Sequence, residues 1–404
     1  MRNNKTKQDY ILITSTNFPS GGAAATYLNL FCRGLKLNEY AISVFMLKGN
    51  AFGKYTYTGP RKNRSEDGIP FTYLGFKQRP DSYFLKLFEE LISIPRLTFL
   101  LLSLITKRKS TNILVYNSEI QYNIPIYLIT KIFRIKTTKF VAEIMDKSEF
   151  KGSFFRKIKG YGEDFNFQYF NKISVKLIVF SHYVRDEYLR MGYDSNNILV
   201  QPNLTDFEYW ESAMSEAKYT LGYSGTPSIK DGLFDLFKSI SLLQVMNINV
   251  TLLVIGDSNF GKSRIPALKE ECEKLDIAKN VFFTGLVDSL KVKQYLSECK
   301  ILCITRPSIT QTKAGFPTKL GEYYATKKPI LATDFGDLSR YFSDDLDIIM
   351  AECGNPESIA EKIAWMIQNN EELEVISRRG YEKAKQLLDF KSSINRIIDF
   401  LITD

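Results

Sequence analysis

The chain has 404 residues, 44% of them hydrophobic and 13% aromatic, with a formal net charge of +9. It is too long for one ordinary core and too apolar for a disordered chain, so two globular domains are expected. No run of 18 uncharged apolar residues offers a membrane span, and the apolar stretch 10–14 is too short for a signal peptide, so a cytoplasmic protein is expected.

In chain order, YILITST (10–16) reads as a strand and NFPSGGAAA as a glycine-containing loop. A helical pattern runs over about 26–37, with Tyr27, Leu30, Phe31 and Leu35 on one face, and AISVFML (41–47) is the next strand. This order is a parallel α/β unit. Residues 48–80, rich in Gly, Pro, Lys and Arg, read as a loop. Residues 84–109 are apolar with a basic end, interrupted by Glu89, Glu90, Pro95 and Arg96. They fit either a buried pair of helices or a helix lying in a membrane interface. NILVYN (112–117), KFVAEI (139–144) and LIVFS (177–181) continue the strands of the first half. LGYSG (221–225), VTLLVIG (250–256), VFFTG (281–285), KILCIT (300–305) and PILAT (329–333) supply those of the second. Two doubly wound sheets joined near 200–218, followed by a helical tail over 355–403, form the simplest architecture.

The charge is unevenly divided. Residues 1–200 hold 30 Lys and Arg against 16 Asp and Glu, a net of +14, and the remainder holds 24 against 29, a net of −5. A basic first half suits an anionic partner, with peripheral contact on an anionic membrane the leading expectation. Nucleic acid is not expected, because the aromatic residues there fall in apolar patterns rather than on a stacking platform. Cys32, Cys272, Cys299, Cys303 and Cys353 are scattered, without a CxxC pair, and read as buried free thiols.

The single histidine, His182, excludes sites that need two, and its place in FSHYVRDEYLRMG suits a helix start. There is no GxxxxGK[ST] loop and no GxGxxG fingerprint. Asp345 and Asp347 read as parts of a solvated loop. In doubly wound folds ligands gather at the carboxyl ends of the strands, near helix N-termini. Three loops there have a suitable composition: Gly21 and Gly22 before the first helix, YSGTPSIKDG (223–232) with Gly225 and Lys230, and GFPTKLGEYYATKK (315–328), in which Pro317 fits a first helical position. Glycines let a backbone approach a ligand, and a lysine can neutralise a diphosphate.

Those segments, with VIGDS (254–258) and VFFTGLVDSLKVKQYLSECKILCIT (281–305), resemble retaining glycosyltransferases of family 4 with the GT-B fold, the bacterial polysaccharide type. The resemblance covers nearly the whole chain and is strongest over 219–370. It implies two Rossmann-like domains facing a central cleft: 1–200 on the acceptor side, 201–385 on the nucleotide-sugar side, and a helix over 386–404 returning to the first domain. It implies transfer from a nucleotide sugar, UDP- or GDP-linked, to a lipid-diphosphate-linked or saccharide acceptor, with retention and without a metal or other cofactor. By resemblance, Glu322 holds the ribose hydroxyls, Lys230 binds phosphate, and Gly315, Phe316, Pro317 and Thr318 match the segment whose backbone amides meet the sugar and phosphates. Leu286 and Val287 flank the base, Gly21 and Gly22 form the glycine loop of the first domain, and Gly225 and Thr226 border the donor. Asp146 matches an acidic acceptor-side position, with Glu149 beside it. Two departures stand out: the first glutamate of the family pair falls on Ala314, and an arginine of the pattern falls on Thr226. Two other readings keep the fold, a nucleotide-sugar epimerase and a catalytically silent binding partner.

Overall fold

The computed structural model describes residues 9–50, 57–106, 111–142, 154–171, 174–211, 216–258 and 262–403. The chain divides into two compact units, residues 1–202 with 394–404, and residues 203–393.

Unit 1 is built on an eight-stranded sheet. Its strands are β1 (Asp9–Thr14), β2 (Ala41–Met46), β3 (Lys62–Arg64), β4 (Pro70–Tyr73), β5 (Thr111–Tyr116), β6 (Thr137–Val141), β7 (Lys176–Val179) and β8 (Ile198–Val200). They lie in the order β3-β4-β2-β1-β5-β6-β7-β8, and only β3 runs antiparallel to its neighbour. β1 sits between β2 and β5, with Leu12 opposite Val44 and Leu114. Such strands are covered on both faces, which is why they read as continuous apolar runs. The helices are α1 (Ala23–Leu37), α2 (Tyr83–Thr106), α3 (Ile120–Ile132), α4 (Phe154–Phe165), continued by a π-helical stretch Asn166–Phe170, and α5 (His182–Arg190). Ile11, Ile13, Ile113 and Val115 form one core cluster with Leu97 and Leu101 of α2 and Tyr122, Ile126 and Ile129 of α3.

Two expectations change in this unit. The segment 48–80 contributes β3 and β4 to the sheet rather than forming only a loop, β4 pairing in parallel with β2. Residues 83–106 form one helix with Pro95 inside it, not a pair of helices. Glu89, which reads as an interruption of an apolar run, is buried, and its carboxylate accepts the backbone N–H groups of Gly49 at 2.7 Å and Phe76 at 3.0 Å. His182 is the first residue of α5, which Ser181 caps by accepting the N–H of Val184.

Unit 2 holds a fully parallel six-stranded sheet of β9 (Tyr219–Ser224), β10 (Leu252–Ile255), β11 (Val281–Phe283), β12 (Cys299–Ile304), β13 (Ile330–Thr333) and β14 (Ile349–Ala351), ordered β11-β10-β9-β12-β13-β14. The period of two along each strand is visible in its two cores. Leu252, Val254, Ile301, Cys303 and Leu331 face one side, and Leu253, Ile255, Leu302, Ile304 and Ala332 face the other. The helices of this unit are α6 (Phe207–Trp210), α7 (Leu233–Val245), α8 (Ile265–Lys274), α9 (Ser289–Ser297), α10 (Thr310–Ala314), α11 (Thr318–Ala325), α12 (Leu338–Tyr341), α13 (Pro356–Gln368) and α14 (Asn370–Leu388). All five cysteines are free, and Cys353 is partly exposed rather than buried. Asp347 is also not solvated: it is buried, accepting from Ser343 N–H at 2.7 Å and from Lys383 Nζ at 2.5 Å.

The last helix, α15 (Phe390–Ile402), begins in unit 2 and continues into residues assigned to unit 1. There Ile394 fills the space beside Gly34 of α1. Arg396 Nη2 donates to Gln201 Oε1 at 2.6 Å, and the Lys176 ammonium donates to the carbonyls of Phe400 and Thr403.

Candidate functional site

The carboxyl ends of the unit 2 strands gather a set of charged side chains. β9 ends at Ser224, followed by Gly225 with a φ of 132° and by the loop that carries Asp231 and Gly232. Gly232 has a φ of 65°, and a Cβ there would lie 1.6 Å from the Thr305 carbonyl oxygen, so only glycine brings this loop against the end of β12. Thr305 Oγ1 fastens the contact by donating to the carbonyls of Asp231 at 3.3 Å and Gly232 at 3.1 Å. Asp231 is thereby buried at the end of the sheet.

Lys319 of α11 reaches Asp231, Nζ to Oδ1 at 2.9 Å, and Arg306, just beyond β12, approaches the same oxygen at 3.9 Å. Ser228 Oγ donates to the other carboxylate oxygen. Burial pushes the Asp231 carboxyl up, but Lys319 and Arg306 outweigh it and hold the group below its ordinary range. Burial pulls the Lys319 ammonium down to about 8 against the opposite pull of Asp231. The Lys319 ammonium also sits 4.1 Å from the centroid of the Tyr223 ring and 3.1 Å from where a Cβ on Gly225 would be. Arg306 stacks over Phe335, and its buried Nε has no hydrogen-bond partner among the described residues. Two cations thus surround one carboxylate, leaving an excess of positive charge.

Glu322 stands one helical turn after Lys319. It is partly buried, and its carboxylate accepts no hydrogen bond among the described residues. Burial pushes it up to about 7, with Lys319 pulling the other way. Its helix is held rigidly. Tyr323 OH accepts the Ser224 N–H at 2.7 Å, and a Cβ on Gly321 would lie 2.0 Å from Thr205 Oγ1, so α11 packs directly on residue 205. Asn203 Nδ2 donates to the Phe316 carbonyl and, at 3.4 Å, to Thr318 Oγ1, fixing the loop that leads into α11. Pro317 caps this helix one position before its first residue, rather than occupying the first helical position.

Other expected residues fall as follows. Gly225, Thr226, Lys230, Gly315, Phe316, Pro317, Thr318 and Glu322 all lie on loops or the helix start at this end of unit 2. Lys230 is partly exposed and forms no hydrogen bond or ion pair among the described residues. Leu286 and Val287 lie between β11 and α9; Leu286 is exposed and Val287 partly buried. Gly285 of that loop bridges to Gly256 after β10, and a Cβ on Gly256 would meet the Gly225 carbonyl at 2.5 Å, so three strand ends are drawn together. Ala314 is fully buried. Gly21 and Gly22 belong to unit 1, Gly22 being the N-cap of α1. Asp146 and Glu149 lie outside the described residues. Arg306, Lys319 and Asp231 carry no role in the sequence reading. The available signals are the position of Arg306 just after an apolar strand and the spacing of three between Lys319 and Glu322.

Unit 1 has a second polar site, a cavity of about 360 Å³ at the carboxyl ends of β1, β5 and β6. Lys139 is buried in it and donates to Ser118 Oγ at 2.6 Å and Asn123 Oδ1 at 3.1 Å. Burial pulls this ammonium down to about 7, with Glu163 and Glu119 opposing. Glu119 accepts from Ser15 Oγ at 2.6 Å and Lys48 Nζ at 2.8 Å; burial pushes its carboxyl up, and these partners more than reverse that. Asn171 also lines the cavity, with its Oδ1 buried and without a hydrogen-bond partner among the described residues.

Residues 205–383 match the family model described as Glycosyl transferases group 1. An uncharacterised glycosyltransferase of Methanocaldococcus jannaschii is 25% identical over 225 residues, which is 54% of this chain and 57% of that protein. The chain therefore spans little more than half of that relative's length. Among solved structures, HepE of Anabaena in complex with UDP superposes with a TM-score of 0.71 at 14% identity, covering 98% of this chain and 99% of that one. Sucrose-phosphate synthase of Thermosynechococcus elongatus superposes with a TM-score of 0.74 at 14% identity, covering 97% and 98%. The chain thus has the GT-B fold, and within its second unit residues 205–383 are similar to the glycosyl transferases group 1 model.

Proposed function

We propose that the protein is a glycosyltransferase that moves a hexosyl group from a nucleotide sugar to a lipid-diphosphate-linked or saccharide acceptor in surface polysaccharide synthesis. The observation that carries the reading is the pairing, on one rigid helix, of a carboxylate with unspent acceptors, Glu322, and a cation, Lys319, that shares Asp231 with Arg306. A nucleoside diphosphate needs both kinds of group: an acceptor for vicinal ribose hydroxyls and cations for the phosphates. A UDP- or GDP-linked donor fits this pair.

The chemistry follows from charge. Breaking the anomeric bond leaves positive charge on the sugar and negative charge on the departing diphosphate. Lys319, Arg306 and Lys230 supply cations for the second, which is the basis for proposing transfer without a metal. The amides of Phe316 and Thr318 add backbone donors at the start of α11. Retention is proposed to proceed on a single face, with the diphosphate guiding the acceptor hydroxyl. The unit 1 cavity suits a polyhydroxylated acceptor, because Lys139 donates and Asn171 Oδ1 accepts. An anionic membrane surface is the proposed setting, with unit 1 making the contact from the cytoplasmic side.

Calorimetric titration with UDP, GDP and CMP, followed by turnover of the corresponding sugar nucleotides with lipid-diphosphate acceptors, tests this reading. Transfer to an acceptor is the expected result. Release of an epimerised sugar nucleotide without acceptor would replace it with an epimerase, and binding without any turnover would replace it with a silent binding partner.

A further inference from the structure

Unit 1 carries an apolar face that its own fold does not cover. On α2, Phe84, Phe88, Leu91, Pro95, Phe99 and Leu102 follow one another at spacings of three and four and are all exposed. They therefore form one stripe along the helix. It spans about 27 Å at about 1.5 Å per residue. The opposite side of the helix, with Glu89, Ser93, Leu97 and Leu101, is buried against the unit. The pattern repeats on the next helices. Ile124, Leu128 and Ile132 of α3 are exposed at intervals of four, as are Tyr161, Phe165 and Tyr169 of α4 and its π-helical continuation. Every large hydrophobic side chain in these stripes is at least 42% exposed.

The helices are neighbours in one layer. Ser93 Oγ lies 2.9 Å from Tyr122 OH and Gln121 Nε2 donates to Glu90 Oε1 at 2.9 Å, joining α2 to α3. Asn123 Nδ2 donates to Asn166 Oδ1 at 2.9 Å, and the rings of Tyr127 and Phe170 meet edge to face, joining α3 to the π-helical stretch. The three stripes thus lie on adjacent helices, and such an extent of apolar surface marks an interaction site.

Charge identifies the occupant. Lys131, Arg134 and Lys136 are exposed at the end of α3. Several carboxylates on these elements face elsewhere: Glu89 is buried on backbone amides, Lys48 pairs with Glu90 and Glu119, and Glu163 and Asp164 of α4 are partly buried and line the unit 1 cavity. Apolar stripes edged by cations and tyrosines match a leaflet of anionic lipid, where the apolar side chains enter the interface and the cations meet headgroups. No helix among the described residues is long and apolar enough to cross a membrane.

We propose that the outer face of α2, α3 and α4 is a monolayer-inserting surface for anionic lipid, in which apolar insertion rather than the net charge of the first half supplies most of the binding. This deepens the reading of a lipid-linked acceptor and rests on it.

The test is flotation of the full chain with vesicles of phosphatidylglycerol and phosphatidylethanolamine, beside vesicles of phosphatidylcholine alone. The wild type is expected to float with the anionic vesicles and to remain largely bound in 0.5 M salt. Phe84→Ser/Leu91→Ser/Phe99→Ser is expected to lower binding about tenfold or more while leaving UDP or GDP affinity unchanged. Phe99→Trp provides a readout that does not depend on the triple variant folding, since brominated lipids should quench its fluorescence. Loss of all binding in high salt, absence of quenching, or a dimer by light scattering that the triple variant converts to monomer would each overturn the proposal. Nucleotide affinity, measured on the same samples, reports separately on the transferase reading.

Discussion

Lys319 and Asp231, 88 residues apart, form an ion pair of 2.9 Å at the carboxyl end of β9, with the Lys319 ammonium also lying over the ring of Tyr223. Both side chains are nearly withdrawn from solvent. Breaking a buried pair from one side typically costs about 3–5 kcal/mol, less here because Arg306 remains 3.9 Å from Asp231. Lys319→Met is therefore expected to lower stability and to weaken nucleotide diphosphate binding. Lys319→Met/Asp231→Asn should recover much of the stability without recovering the affinity. Denaturant melts and calorimetry on both variants separate the two effects, and recovery of affinity in the double variant would remove Lys319 from the phosphate site.

Glu322 is expected to trade stability for function. Its folded carboxyl titrates near 7, above the ordinary value of 4.5, so the folded state binds more protons between those values and stability falls as pH rises through that window. Glu322→Gln removes this penalty. The variant should be more stable than wild type at pH 8, by roughly 1–3 kcal/mol, and nearly equal at pH 4.5. Its nucleotide affinity should drop, and wild-type affinity should rise between pH 6 and 8 as the carboxylate forms. Thermal melts at the two pH values and a pH series of titrations check both, and an unchanged affinity in the variant would clear Glu322 of ribose contact.

Ala314 is a packing position. Because it is fully buried, placing there the glutamate of the pattern the sequence resembles, with Ala314→Glu, forces a carboxylate into the core, and a loss of about 2–4 kcal/mol is expected. A variant that melts like wild type would mean the site can open, and would return residue 314 to the sugar contact.

Gly232→Ala is expected to destabilise unit 2 by about 2 kcal/mol or more, from the left-handed backbone and the clash with the Thr305 carbonyl together. Since the same loop carries Asp231, donor affinity should fall with it. A melting curve and a nucleotide titration report the two losses.

Lys139→Met tests the unit 1 cavity. Below pH 7 the lysine is charged in both states and its burial weighs fully on the folded form; between 7 and 10.5 wild-type stability rises with pH as the folded amine sheds its proton first. The stabilising contribution of the substitution should thus be largest at or below pH 7 and fade toward pH 10, opposed throughout by the lost hydrogen bonds to Ser118 and Asn123. Acceptor-dependent turnover should fall while nucleotide affinity holds. Equal turnover in the variant would move the acceptor elsewhere.

The strands with long apolar runs were readable because burial on both faces leaves no polar alternation to obscure them, as with Ile11 to Ile13 and Leu252 to Ile255. β3, β4, β8 and β14 were not, because three or four residues give too little periodicity, and β3 reads Lys62-Asn63-Arg64, a fully exposed edge. Residues 83–106 misled for a physical reason: Glu89, Glu90, Pro95 and Arg96 read as a break in an apolar run, whereas the helix continues through Pro95 and buries Glu89 on the amides of Gly49 and Phe76. In the proposed donor site, Glu322 stands out in the sequence by its place in a long motif. Asp231, Arg306 and Lys319 come from three separate elements, and their meeting depends on Gly232 admitting the Thr305 carbonyl, a contact no local pattern announces.

Unit 1 is discontinuous in the chain, and that sets an order of assembly. The residues that pack on Gly34, hold Gln201 and receive the Lys176 ammonium lie at 394–403, beyond all of unit 2. A ribosome must therefore translate the whole of 203–393 before unit 1 has its last element. Residues 1–202 thus complete their unit only with a segment made after unit 2, and until then the α1 surface at Gly34 lacks Ile394. Domains usually mature from the N-terminus onward during synthesis; here the closing step of the earlier unit belongs to residues 394–403, which follow the later one.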